Sequence, residues 1–237
     1  MATLSDVTAQ CEVTSLTAPT ATDNCGGVVT VTNDATLPIT AQGTTVVTWT
    51  FEDGNGNSTT ANQNVIVDDA TNPTLTSVSD RNENVGASCN FTIPNYRGLT
   101  AASDNCTAVG SIVKTQTPAI GTVISGHNNT QLITITANDG NGNTNTTTFT
   151  ITLKDITKPV ISCPPAVTEN TNKDGTGNCT TTVALGIPTA TDNCTTAGSF
   201  IFTAKVGGVT ITPATHLFGI GNTTVVWTAT DQAGNVS

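Results

Sequence analysis

Three stretches of the chain alternate apolar and polar residues with a period of two. Val47, Trp49 and Phe51 form the first, Ile133, Ile135 and Ala137 the second, Val225, Trp227 and Ala229 the third, with Thr at most positions between. A period of two puts one face of a strand in a core and the other in water, the pattern of a β-sandwich strand. Trp49 and Trp227 point with the apolar set, so core packing is a better reading for them than an exposed sugar-stacking platform. In the first stretch of chain the expected strands are 27–32, 45–51 and 61–67.

The strands recur with their flanking turns. A D-N-C motif stands at Asp23-Asn24-Cys25, Asp104-Asn105-Cys106 and Asp192-Asn193-Cys194. An acidic turn follows each alternating strand, as Asp53-Gly54-Asn55-Gly56-Asn57, Asp139-Gly140-Asn141-Gly142-Asn143 and Asp231-Gln232-Ala233-Gly234-Asn235. The copies lie roughly 80 to 90 residues apart, the size of a small all-β domain. Two D-x-T-x-P segments, Asp69–Pro73 and Asp155–Pro159, mark the junctions, where proline stops the strand ladder. The expected organisation is three domains, 1–69 (without its first strand), 70–156, and 157–237 (without its last strand). Met1-Ala2 reads as an artificial start, and Ser237 falls where a last strand should begin.

Composition agrees with strands and turns: 36% hydrophobic, 4% aromatic, one Met, and a net charge of −10 carried by isolated turn aspartates. Nucleic acid is an unsuitable partner, because neutralising phosphates needs clustered Lys and Arg. No apolar run approaches the roughly 18 residues of a membrane span. Six of the seven cysteines sort two to a copy, Cys11 and Cys25, Cys89 and Cys106, Cys179 and Cys194, with Cys163 left over. Recurring paired cysteines read as structural disulfides of an oxidising, extracellular compartment, with metal ligation and reduced core thiols as alternatives.

The acidic turns present side-chain oxygens at alternate positions around glycines, the donor type calcium takes six to eight at a time. Asn-Gly by itself also makes an ordinary tight turn. Strand order adds weight to the ligand reading. In a sandwich of alternating strands, the D-N-C loop, the acidic turn and the incoming linker meet at one pole. Asp69, with Asp68, should approach Asp104, Asp139 and Asn141, and Asp155 should approach Asp192 and Asp231. Asp23 and Asp53 would form a partial site without an upstream linker. Carboxylates gathered in this way repel unless a cation joins them, so Ca2+ is the expected cofactor.

No nucleophile, base and orienter are grouped, so an enzyme is not expected. His127 reads as solvated, His216 as structural, and Asp174-Gly175-Thr176-Gly177 as a turn. Tyr96 beside Arg97 is the only tyrosine and a candidate ligand contact.

The motifs together resemble the HYR (hyalin repeat) family of immunoglobulin-like modules. The resemblance is carried in the third copy by Pro159-Val160-Ile161-Ser162-Cys163-Pro164-Pro165, the D-N-C motif, and the run from Gly221 to Asp231 with Ala233-Gly234-Asn235. The Thr- and Asn-rich style is similar to giant bacterial cell-surface adhesins, including the SprB-type gliding adhesin of Bacteroidetes. The resemblance implies an all-β fold of tandem immunoglobulin-like β-sandwich domains in an elongated array. It also implies four cysteines to a module. Copy two has Ser77 and Thr147 where the outer pair would stand, which leaves Cys11–Cys25, Cys89–Cys106 and Cys179–Cys194 as inner disulfides. Cys163 would be unpaired, its partner lying past Ser237. Fifteen extended residues span roughly 50 Å, so the chain must then reverse between Cys179 and Cys194, near residues 186–188.

The implied function is a stalk segment of an extracellular, cell-surface adhesin that projects a binding tip and bears load in adhesion or gliding, its junctions stiffened by calcium. The alternative is a carbohydrate- or protein-binding accessory module. Expected partners are neighbouring repeats of the same chain, with a surface polysaccharide or another surface protein as further candidates. A monomer is expected, with no nucleic acid bound and no membrane insertion.

Overall fold

The computed structural model describes residues 4–171, 175 and 177–237; Asp174 and Thr176 of the expected turn lie outside them. The chain is all-β, with short 3-10 turns at Arg97–Leu99 and Val109–Ser111. No helix among the described residues is long and apolar enough to cross a membrane.

The first repeat holds β1 (Val7–Ala9), β2 (Thr30–Asn33), β3 (Gly43–Glu52) and β4 (Ser58–Val67). They form one sheet in the order β1-β4-β3-β2, with β1 parallel to β4. The period-two face of β3 is the core face: Val47 and Trp49 pack with Val13, Ile39, Val65 and Val67. Trp49 is 1% exposed, and its indole N–H donates to Gln63 Oε1 at 2.9 Å, so the ring is buried without an orphaned donor.

The second repeat holds β5 (Thr74–Leu75), β6 (Arg81–Asn84), β7 (Asn90–Thr92), β8 (Ala102–Ser103), β9 (Val113–Thr117), β10 (Val123–Ser125), β11 (Thr130–Asn138) and β12 (Thr144–Lys154). Its larger sheet, β6-β12-β11-β9, repeats the first in order and direction, β6 lying parallel to β12. Ile133, Ile135 and Ala137 are fully buried along β11. Two small ladders, β5-β8 and β7-β10, complete this repeat.

The third repeat holds β13 (Val160–Ser162), β14 (Thr181–Thr182), β15 (Thr189–Thr191), β16 (Ile201–Val206), β17 (Val209–Ile211), β18 (Leu217–Phe218) and β19 (Val225–Thr230). The ladders β13-β15 and β14-β18 repeat β5-β8 and β7-β10, and β16-β19 repeats β9-β11. Ser237 exchanges two backbone hydrogen bonds with Ala229 of β19. Ala229 is buried, whereas Trp227 is half-buried.

The chain divides into two compact units. One comprises Met1–Val78, Asn95–Thr117 and Thr134–Thr148, the other Ser79–Pro94, Pro118–Ile133 and Phe149–Ser237. Each junction between sequence repeats thus lies inside one unit, and the division passes through the second repeat.

The disulfides differ from the expected ones. Cys11 is bonded to Cys106 and Cys89 to Cys194, each with Cα atoms 4.9 Å apart. Cys25, Cys163 and Cys179 are free and exposed. The expected pairs Cys11–Cys25, Cys89–Cys106 and Cys179–Cys194 are therefore absent. The reason is local: no hairpin joins the segments that carry Cys89 and Cys106. The chain runs through β7, the turn at Arg97–Leu99 and β8, and those strands pair in separate ladders. Cys89 and Cys106 fall in different compact units, and each finds its partner in a neighbouring repeat.

Candidate metal centre

Strand ends place the acidic groups. β12 ends at Lys154 just before Asp155, β15 at Thr191 before Asp192, and β19 at Thr230 before Asp231. One carboxylate oxygen from each of these three aspartates lies within 4.8 Å of those of the other two. Asp155 and Asp231 are each 4% exposed. Asp231 closes its own turn: Oδ1 accepts the Asn235 backbone N–H at 2.8 Å and Oδ2 accepts the Asn235 side-chain amide at 2.8 Å. Asp192 Oδ2 accepts the N–H groups of Cys194 and Thr195 at 2.9 and 3.0 Å. Asp155 Oδ1 accepts the N–H of Thr157 at 3.0 Å.

The remaining oxygens have no donors. Among the described residues, the buried side-chain polar atoms without a hydrogen-bond partner are Asp104 Oδ2, Asp155 Oδ2, Asp192 Oδ1 and Asn193 Oδ1. All belong to the linker or the D-N-C loops. A buried carboxylate oxygen without a donor is costly, and several anionic groups within 4.8 Å add repulsion. A hard divalent cation with oxygen ligands answers both problems. The residues at Asp155, Asp192 and Asp231 thus fit calcium in donor type and charge, and Asp155 Oδ2 and Asp192 Oδ1 are the atoms free to ligate.

The corresponding place in the second repeat is built similarly but not identically. Asp69, Asp104 and Cys106 form the close group there. Cys106 is locked in a disulfide, so it offers no thiolate. Asp104 Oδ1 accepts from the N–H groups of Cys106 and Thr107, both at 2.9 Å. Asp69 Oδ2, however, accepts the Asn141 side-chain amide at 3.1 Å. Asn143 donates to the Asp69 carbonyl at 2.7 Å and to Asp139 Oδ2 at 2.7 Å. Asp139 is thereby tied to the linker through amides rather than by its own carboxylate, and Asn141 acts as a donor where a ligand oxygen was expected.

The other expected ligands stand apart. Asp68 is exposed, its backbone N–H bonded to the Ala9 carbonyl at 2.9 Å. Asp23 and Asp53 belong to no group of three among the described residues. Asp53 Oδ1 accepts from Asn55 N–H at 2.7 Å and Asn57 N–H at 3.1 Å, and Oδ2 from the Asn57 amide at 2.6 Å. The Asn57 side chain, with these backbone donors, holds the Asp53 carboxyl below its ordinary range. Burial pushes Asp139 up, but the Asn143 side chain and the N–H groups of Asn141 and Asn143 outweigh it, so Asp139 is also lowered.

Two residues have roles that their local sequence conceals. His127, expected to be solvated, accepts the Asp155 backbone N–H at Nδ1 over 3.0 Å and so fixes the linker where the cluster forms. Tyr96, the candidate ligand contact, is 3% exposed. At that burial the ring is packing material rather than a platform, and the residue's backbone N–H donates to Gln116 Oε1 at 2.7 Å. His216 stacks edge-on against Phe218 with ring centroids 4.6 Å apart, a structural contact.

Residues 2–67 match the family model described as the HYR-like domain with 4 cysteines. The chain is 32% identical over 229 residues to Hyalin of Strongylocentrotus purpuratus, covering 92% of this chain and 18% of that protein. Among solved structures it is similar to mouse cadherin-23 EC22-24, with 15% identity, TM-score 0.37, and coverage of 99% of this chain and 92% of that one. It is also similar to Drosophila N-cadherin EC1-3, with 12% identity, TM-score 0.40, and coverage of 100% and 95%. The family match thus covers the first repeat, and the Hyalin likeness runs over nearly the whole chain while spanning under a fifth of Hyalin's own length.

Proposed function

We propose that the chain is a load-bearing, non-enzymatic segment of an extracellular adhesion protein, built of three HYR-like repeats. One observation carries this reading: successive repeats are joined by disulfides outside the main chain, Cys11 to Cys106 and Cys89 to Cys194. Such bonds persist in oxidising, extracellular compartments. They also reroute tension. A pull on the two ends travels along residues 1–11, crosses to Cys106, returns to Cys89, crosses to Cys194 and leaves along residues 194–237. The strands between Cys11 and Cys89, and between Cys106 and Cys194, are taken out of the direct load path. Calcium at Asp155, Asp192 and Asp231, and more weakly at Asp69 and Asp104, would fix each linker to the loops it touches. The likeness to Hyalin supports an adhesive setting; a bacterial surface and a role in gliding are the narrower form of the proposal. The partners proposed are further repeats of the same kind and another surface protein.

Single-molecule stretching tests it. Fully extended at about 3.4 Å per residue, the reduced chain should reach about 800 Å and the oxidised chain about 250 Å. Equal lengths in the two states would show that the disulfides carry no load and overturn the proposal.

A further inference from the structure

The two disulfides obey one rule. In each, the early cysteine of one repeat is bonded to the D-N-C cysteine of the next, at separations of 95 and 105 residues. The surroundings repeat as well. Asn105 donates to Gln10 Oε1 at 2.9 Å, beside Cys11. Asn193 donates to the Gly86 carbonyl at 3.0 Å, three residues before Cys89. The D-N-C loop therefore docks on the segment that carries the early cysteine, by an amide and a sulfur together.

Applied to the free cysteines, the rule leaves two complementary half-sites. Cys25 is the D-N-C cysteine of the first repeat and lacks an early partner. Cys179 is the early cysteine of the third and lacks a D-N-C partner. Both are exposed. Cys179 has the backbone of its bonded counterpart: φ is +58° at Cys179 and +56° at Cys89, a left-handed conformation uncommon outside glycine. Each also stands just before the corresponding small ladder strand, β14 or β7. Cys163 fits neither class, since it follows β13, whose counterpart β5 is followed by no cysteine.

We infer that Cys25 and Cys179 are the two ends of a disulfide chain that continues from repeat to repeat, Cys25 taking the early cysteine of another HYR-like repeat and Cys179 the D-N-C cysteine of another. The chemistry is thiol–disulfide exchange. Two thiols transfer two electrons and two protons to an oxidised disulfide donor, such as glutathione disulfide, which leaves as two thiols.

A second copy of this chain supplies both complementary partners, so it serves as the probe. One version carries Cys163→Ser and Cys179→Ser and keeps only Cys25 free; the other carries Cys25→Ser and Cys163→Ser and keeps only Cys179 free. These positions are exposed and unbonded, so the substitutions leave the two native disulfides in place. The versions, one of them mass-tagged, are mixed in a glutathione redox buffer, and the dimers are counted by intact mass and by sequencing of linked peptides. The expected result is a Cys25–Cys179 heterodimer roughly ten-fold over either homodimer, where indiscriminate exchange of surface thiols gives about two-fold. A two-fold ratio, an excess of homodimers, or no dimer at all would overturn the inference.

Discussion

The linker clusters of the second and third repeats share several parts and differ most tellingly in the middle of the acidic turn. Each has a D-x-T-x-P aspartate, Asp69 or Asp155, and a D-N-C aspartate, Asp104 or Asp192, stapled by a disulfide two residues on. Each also has a closing Asn, Asn143 or Asn235, that reaches back to the linker carbonyl. The second repeat has Asn141 where the third has Ala233. Asn141 satisfies Asp69 Oδ2 with an amide proton, whereas Asp155 Oδ2 has no donor. The turn that departs further from a D-x-N-x-N calcium pattern is therefore the one whose carboxylates most require a cation. A side-chain amide and a metal ion are alternative answers to one buried charge. The first repeat shows the same turn outside any such group among the described residues: Asp53 simply caps it, half-exposed.

The comparison can be broken most forcefully at its shared parts. Replacing Cys11 and Cys106 by Ser, or Cys89 and Cys194, removes a crosslink across about a hundred residues and should cost about 2–5 kcal/mol. Urea unfolding should give similar losses for the two pairs, because the staples do not depend on Asn141 or Ala233. The next effect is asymmetric. Asn141→Ala strips Asp69 Oδ2 of its donor and should cost about 1–3 kcal/mol in EGTA. Thermal unfolding should also show that calcium now stabilises this variant more than the parent chain. The reverse exchange, Ala233→Asn, should gain about 0.5–1.5 kcal/mol in EGTA and blunt the calcium response of the third repeat. An unchanged response in both variants would sever the link between the amide and the ion.

Acid gives the smallest effect. The Asp53 carboxyl is lowered from its usual value of 3.8, so the stability it lends is present in full above that value. It is lost as pH falls through the lower folded value. NMR of the Asn55 and Asn57 amides should report this step in acid, and Asp53→Asn should abolish it. A step in those amides above the usual carboxylate range would contradict the assigned direction.

Much of this was legible in the sequence. Val47, Trp49, Ile133 and Ile135 declared the core face by their period of two. Strand alternation alone brings Asp155 toward Asp192 and Asp231. The disulfides were not legible in the same way. Nearness along the chain pairs Cys89 with Cys106, but whether the backbone reverses between them depends on which ladders β7 and β8 join. The settings of Tyr96 and His127 are hidden for a related reason. Their neighbours Gln116 and Asp155 are distant in sequence, so local polarity around Ser125-Gly126-His127-Asn128 suggested solvent. Ala233 gives no local sign of its effect, which falls on Asp155, 78 residues earlier.

Calcium titration by calorimetry, on the parent chain and on an Asp155→Asn/Asp192→Asn variant, tests the central claim most directly. The account predicts binding at about 0.1–1 mM, the range of extracellular modules, with the tighter site absent from the variant. Identical isotherms for the two chains, or no calcium heat in either, would contradict it.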